Sequence, residues 1–180
     1  METRHTADFT PTFNFMKVFL ACCLWLLSPV LPSCQQSTAP PARSFELTVY
    51  KLADGDSFEG RTAGQTFRIR LYGIDAPEKG QDFYRVAKDR LGALCAEGPV
   101  KIVWRSKDDF GRLVADAYTA SGKHINATLV AEGLAWHFTR YSNSAELAQL
   151  ERNAREQKRG LWVQAQPLPP WEYRKSHRRR

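Results

Sequence analysis

The chain has 180 residues, 43% hydrophobic and 12% aromatic, with a formal charge of +7. That length holds one domain of ordinary size with tails, and that composition excludes global disorder. The excess charge lies in residues 34–180, because Arg4 and Lys17 balance Glu2 and Asp8 upstream. Such a domain suits an anionic partner, nucleic acid or a membrane surface, or is simply a soluble basic protein.

Residues 1–33 read as a secretory signal. MKVFLACCLWLLSPVLPSC, from Met16 to Cys34, has one positive residue, an apolar run and a small residue before a cysteine. It is too short and too interrupted by proline for a good membrane span. Met16 opens this pattern cleanly, so it is also a candidate true start. LPSC resembles the bacterial lipoprotein box, which would make Cys34 the lipidated first residue; Pro32 departs from that box, and ordinary cleavage nearby is the other reading. The expectation is export, as a membrane-anchored lipoprotein or a periplasmic or secreted protein.

Of the four cysteines, Cys22 and Cys23 lie in the signal and Cys34 at its end, leaving Cys95 alone in the body. Neither a disulfide framework nor a four-cysteine zinc site can be built from that. Cys95 reads as a small buried filler.

Residues 34–44 form a polar, Pro-rich linker. The domain is expected over residues 45–163. FELTVYKL and QTFRIRLYG alternate as strands do, and Gly-bearing turns separate them. QDFYRVAKDRLGALCAEG reads as a helix with Phe83, Val86, Ala87, Leu91 and Leu94 along one side. PVKIVWRS and GRLVADAYTA are two further strands. INATLVAEGLAW is a short helix stopped by Gly133, and SAELAQLERNAREQKRGLW a longer one closed by Gly160. This order points to a small β barrel, closed or half-closed, with helices packed on it. Residues 164–180 read as a Pro-rich, then basic, tail. It could track a nucleic-acid backbone, or be a solvated segment near anionic lipid.

The chemistry concentrates in two acidic turns. Asp54 and Asp56 lie in ADGDS, and Asp75 and Glu78 in IDAPE, just after Arg68 and Arg70 on one strand face. Arg112 follows in DDFGR. A bend at Gly73 would return Asp75 to the face of Arg70. Carboxylates without His or Cys suit a hard cation such as Ca²⁺ or Mg²⁺. Arginines beside such a cation call for a bridging anion, and a phosphate takes the metal on one side and guanidinium forks on the other. A spare carboxylate could then activate water. Each motif alone also fits turn acids and surface ion pairs.

Together, IDAPE with Arg70 five residues before Asp75, the upstream DGDS and the downstream DDFGR resemble the staphylococcal nuclease family. The resemblance covers roughly residues 45–162, and PPWEYRK resembles an extension of its exported bacterial members. It implies an α+β, mainly β fold, a five-stranded OB-type barrel with about three packed helices, acting as a monomer. It implies a metal-dependent endonuclease that cuts DNA and RNA with Ca²⁺ (Mg²⁺ or Mn²⁺ also fit) and leaves 3′-phosphate ends. By position, Asp56 and Asp75 would bind the metal with the Ala76 carbonyl, Glu78 would orient or deprotonate the water, and Arg70 and Arg112 would grip the phosphate. Asp54 becomes a supporting turn residue and Arg68 a packing or approach residue. Where the type member has Lys-Tyr, this chain has Asp109-Phe110; Thr139 replaces one nucleotide-contacting aromatic, while Tyr141 keeps the other. Trp136 and Phe138 would stack on bases or belong to the core. The opposing reading is a silent nuclease-like binding module, but such modules typically lose these acids or arginines.

Overall fold

The computed structural model describes residues 44–177. The predicted signal, Cys34 and all but the last residue of the linker lie outside them. Seven strands and four helices follow in order: β1 (Ser44–Leu52), β2 (Ser57–Thr62), β3 (Gln65–Leu71), β4 (Ile74–Asp75), α1 (Tyr84–Cys95), β5 (Val100–Lys107), β6 (Leu113–Tyr118), α2 (Ile125–Ala131), β7 (Trp136–His137), α3 (Ala145–Glu156) and α4 (Pro170–His177), with a 3₁₀ turn over Gly160–Val163.

Five strands close a barrel in the order β1-β2-β3-β6-β5. All neighbours are antiparallel except β3 and β6, which pair in parallel with Arg70 opposite Val114. This is the expected OB-type barrel. Leu47, Phe58, Ile69, Leu71, Val100 and Ile102 fill it, each nearly inaccessible, as period-2 alternation dictates for inward-facing positions. Strand β2 was not legible as a pattern. Its Gly60 sits where an added Cβ would lie 2.3 Å from Leu47 Cδ1, so close packing requires the residue that weakens the strand signal.

Two helix readings are corrected. Val86 is 51% exposed. Helix α1 begins only at Tyr84 and buries Ala87, Leu91, Leu94 and Cys95, leaving Val86 about 100° around the helix from Ala87. Burial pushes the Cys95 thiol up to about 12, which keeps it an inert filler. Helix α3, capped by the Ser144 hydroxyl on the Leu147 N–H, ends at Glu156 rather than running to Gly160. There the chain turns to meet the end of α2, where the Leu161 N–H donates to the Gly133 carbonyl at 2.9 Å. A Cβ on Gly133 would sit 2.2 Å from the Arg159 carbonyl oxygen, so both glycines permit the approach.

The largest departure is at the end of the chain. Residues 170–177 are helix α4, not a tail, and α4 is docked. Trp171 stacks flat on Phe138 at 5.1 Å and meets Trp136 edge-on at 5.5 Å. Pro170 is buried, and the Leu168 carbonyl accepts from Gln81 Nε2 at 2.9 Å. The local signals were present: proline at the helix start, Glu172 early, Arg174 and Lys175 late.

Candidate active site

The two acidic turns meet at one mouth of the barrel. Asp54 builds the first, its Oδ1 accepting the Asp56 N–H at 3.0 Å. Burial raises the Asp54 carboxyl against the pull of Arg70. Gly73, at φ +72, turns the chain between β3 and β4, as the bend after Arg70 requires. Strand β4 then pairs with β7, Asp75 opposite Trp136. Asn126, fully buried, ties this corner together: its Nδ2 donates to the Tyr72 and Ala115 carbonyls and its Oδ1 accepts the Ala117 N–H.

Arg70 is the centre of the site. Its guanidinium pairs with Asp56, donates to Asp75 Oδ1 at 2.7 Å and donates to the Ile74 carbonyl at 3.1 Å. Asp56 and Asp75 are 2% and 1% exposed. Ionised groups so deep persist only with compensation from charge and hydrogen bonds. The Asp56 Oδ2 also accepts the Ala76 N–H at 2.6 Å. The Ala76 amide thus ties the second acidic turn to the first. Glu78 stands at the rim with its carboxylate about one-third exposed, and its N–H donates to Gln81 Oε1.

Gly55 holds the two turns together by being small. A Cβ there would lie 2.8 Å from the Cβ atoms of both Ala76 and Ala87. Gly55→Ala is expected to cost about 1–3 kcal/mol by overpacking and to separate Asp56 from Asp75. Urea midpoints of the variant and the parent check the first effect.

Arg112 is nearby but differently engaged. Its Nε donates to Asp108 Oδ2 at 2.7 Å and its N–H to Oδ1 at 2.8 Å. Burial alone would raise the Asp108 carboxyl, but these bonds lower it. Arg112 acts on the acid cluster through the field it exerts at Asp54. Arg68 packs on the same turn, donating to the Phe110 carbonyl. Tyr141 is 61% exposed, with Phe138 edge-on at 4.9 Å. Trp136 is core, and one face of Phe138 is covered by Trp171. His137 is buried beside Ser142 and His124 lies beside Asp116; neither joins the acids.

One residue of the site escaped the sequence reading. Arg174 of α4 donates to Asp75 through Nη1 at 3.1 Å and Nη2 at 2.8 Å, and to Glu78 Oε1 at 2.6 Å. Burial would lower its basicity, but the bonds from Asp75 and Glu78 outweigh that and raise it. Only the folding of α4 makes this contact, so spacing in the chain could not reveal it.

A match to the family described as Staphylococcal nuclease homologue spans residues 68–164. The chain belongs to this family. The matched region carries Arg70, Asp75, Glu78 and Arg112, while Asp56 and Arg174 flank it. An uncharacterized endonuclease of Escherichia coli O157:H7 is 39% identical over 126 residues, covering 70% of this chain and 82% of that protein. A micrococcal nuclease of Shigella flexneri is 33% identical over 149 residues, 77% of this chain and 86% of its own. Staphylococcal-like nuclease CAN1 of Arabidopsis thaliana is 40% identical over 112 residues, which are 34% of its length. Similarity to this nuclease family thus extends to bacterial proteins of comparable span and to part of a longer plant protein.

The oxygen-only donor set bears on the metal the family resemblance implies. Asp56 and Asp75 carry two buried negative charges against the one charge of Arg70, and in this structure the Arg174 guanidinium supplies the second. A site that attracts a further cation at buried carboxylates fits a hard metal ion. Among the described residues no group of three His, Cys, Asp or Glu gathers in ligating geometry. A cation held here would rely on two carboxylates and keep waters or substrate oxygens, as Ca²⁺ and Mg²⁺ do.

Proposed function

We propose that this chain is an exported, Ca²⁺-dependent endonuclease that hydrolyses phosphodiester bonds of DNA and RNA with little sequence preference and leaves 3′-phosphate ends. The observation that carries the reading is Arg70 joined to two buried carboxylates, with Glu78 at the open rim beside them. Export rests on the signal pattern ending at Cys34, with lipid attachment at that residue as the anchored form. Among the described residues no helix is long and apolar enough to cross a membrane.

Asp56 and Asp75 would hold the cation. When bound, the cation supplies a fixed positive charge at the scissile phosphate. Glu78 takes the proton of a water on the solvent side, where its carboxylate has access. Arg70 already points its fork into the site, and its planar donors match phosphate oxygens. Arg112 engages Asp108 through Nε, so its Nη edge can be presented to the phosphate. Guanidinium donors placed where negative charge grows in the transition state contribute more than donors that only bind the ground state. Contacts to the phosphodiester backbone carry no sequence information, which accounts for low specificity. Tyr141, exposed beside Phe138, offers a ring on which an unpaired base can stack.

The test is hydrolysis of single-stranded DNA and RNA by the purified protein, with Ca²⁺ and with a chelator. Ca²⁺-dependent cleavage that leaves 3′-phosphate ends is the expected result. Binding without cleavage under every divalent metal would overturn the enzymatic reading in favour of a binding module.

A further inference from the structure

We propose that helix α4 is a built-in latch, in which Arg174 occupies the carboxylates of the cation site and competes with the divalent ion for Asp75. The inference rests on the reading above that Asp75 is a metal ligand. Both oxygens of Asp75 accept from Arg174, and Oδ1 also accepts from Arg70. The same guanidinium takes Glu78 Oε1. A cation that binds Asp75 must displace one of these donors. Arg70 is the less free to move: its side chain is 16% exposed and is also fixed by Asp56 and the Ile74 carbonyl. Arg174 is 40% exposed and sits on an eight-residue terminal helix. It is therefore the donor that leaves.

The latch is anchored at defined points. Trp171 lies between Phe138 and Trp136, and Tyr173 Oη reaches the Lys79 carbonyl at 3.4 Å. A Cβ on Gly80 would fall 2.5 Å from Tyr173 Oη, so the loop after Glu78 is shaped to receive the helix. Two cations that exclude one another from a shared ligand obey linkage: whatever weakens the Arg174 contact strengthens the metal, and metal binding loosens α4 by the same factor. Glu78 is released in the same step, which couples arrival of the cation to freeing of the proposed base.

The experiment is titration of the metal-stripped full chain with Ca²⁺ by calorimetry, without substrate. Arg174→Gln removes the charge and the guanidinium fork while leaving a shorter polar side chain on the helix, and is expected to bind Ca²⁺ about tenfold more tightly than the parent. Trp171→Ala leaves every charge in place and undocks the helix; its affinity is expected to move in the same direction. In the parent, saturating Ca²⁺ is expected to speed amide hydrogen exchange in α4. Parent-like or weaker Ca²⁺ binding in both variants overturns the latch and makes α4 a support for the site. Failure of the parent and of Arg174→Gln alike to bind any Ca²⁺ overturns the metal-site reading itself, and the latch with it.

Discussion

Glu78→Gln is expected to lower kcat on single-stranded DNA by about 10²–10⁴-fold at saturating Ca²⁺, the range that one positioned general base supplies. The substitution is nearly isosteric. The Glu78 N–H bond to Gln81 belongs to the backbone and survives. The amide oxygen of the new side chain can still accept from Arg174. Neither Asp56 nor Asp75 is touched, so the fold should stay close to that of the parent, and saturating Ca²⁺ takes any change in metal affinity through the Arg174 contact out of the comparison. What disappears is the negative charge and basicity at a rim position that water can reach. The reading predicts a loss in kcat with little change in KM. A kcat within a fewfold of the parent would remove Glu78 from the reaction.

Arg70→Ala combines the largest stability effect with a loss of activity. Arg70 compensates two carboxylates that are almost wholly buried and caps the Ile74 carbonyl. Removing one partner of a buried ionic set leaves uncompensated charge, at a cost of about 3–5 kcal/mol. Urea unfolding reads this directly. Arg70→Lys is the informative companion. It restores one positive charge, but a single ammonium cannot span Asp56, Asp75 and the Ile74 carbonyl as a planar fork does. Lysine is therefore expected to recover part of the stability while turnover stays at least about 10²-fold below the parent, the scale of losing one transition-state donor. Full recovery of turnover by lysine would show that charge alone matters there. An Arg70→Ala protein as stable as the parent would mean that Arg70 does not hold the two acidic turns together.

The barrel was legible because alternation survives on the strands that fill it. Ile69 and Leu71, or Val100 and Ile102, declare an inward face without help from the rest of the chain. Strand β2 was hidden because its packing needs Gly60 and because it opens on Ser57 just after Asp56, two buried polar residues that no hydrophobic pattern reports. The end of α3 was hidden for a related reason. Its local sequence favours continuing the helix, and the contact that stops it, backbone against backbone at Gly133 and Gly160, lies between segments far apart in the chain.

The candidate site divides along the same line. Asp56, Arg70, Asp75 and Glu78 could be nominated from sequence because turns and strand ends place them locally: Asp54 shapes one loop, Gly73 bends the other, and the period of two sets the face of Arg70. Their convergence needed no more than the closure of the barrel that the resemblance already implied. The tie between the Ala76 amide and Asp56 and the burial of Trp136 depended on packing between elements and came only from the structure. Arg174 is the extreme case. It lies 99 residues beyond Asp75 on a helix that exists because Trp171 finds Phe138 and Trp136. The sequence by itself determined which charges this protein brings to a phosphate. Tertiary packing decided which of them meet, because a long-range ion pair depends on the shape of everything between its partners.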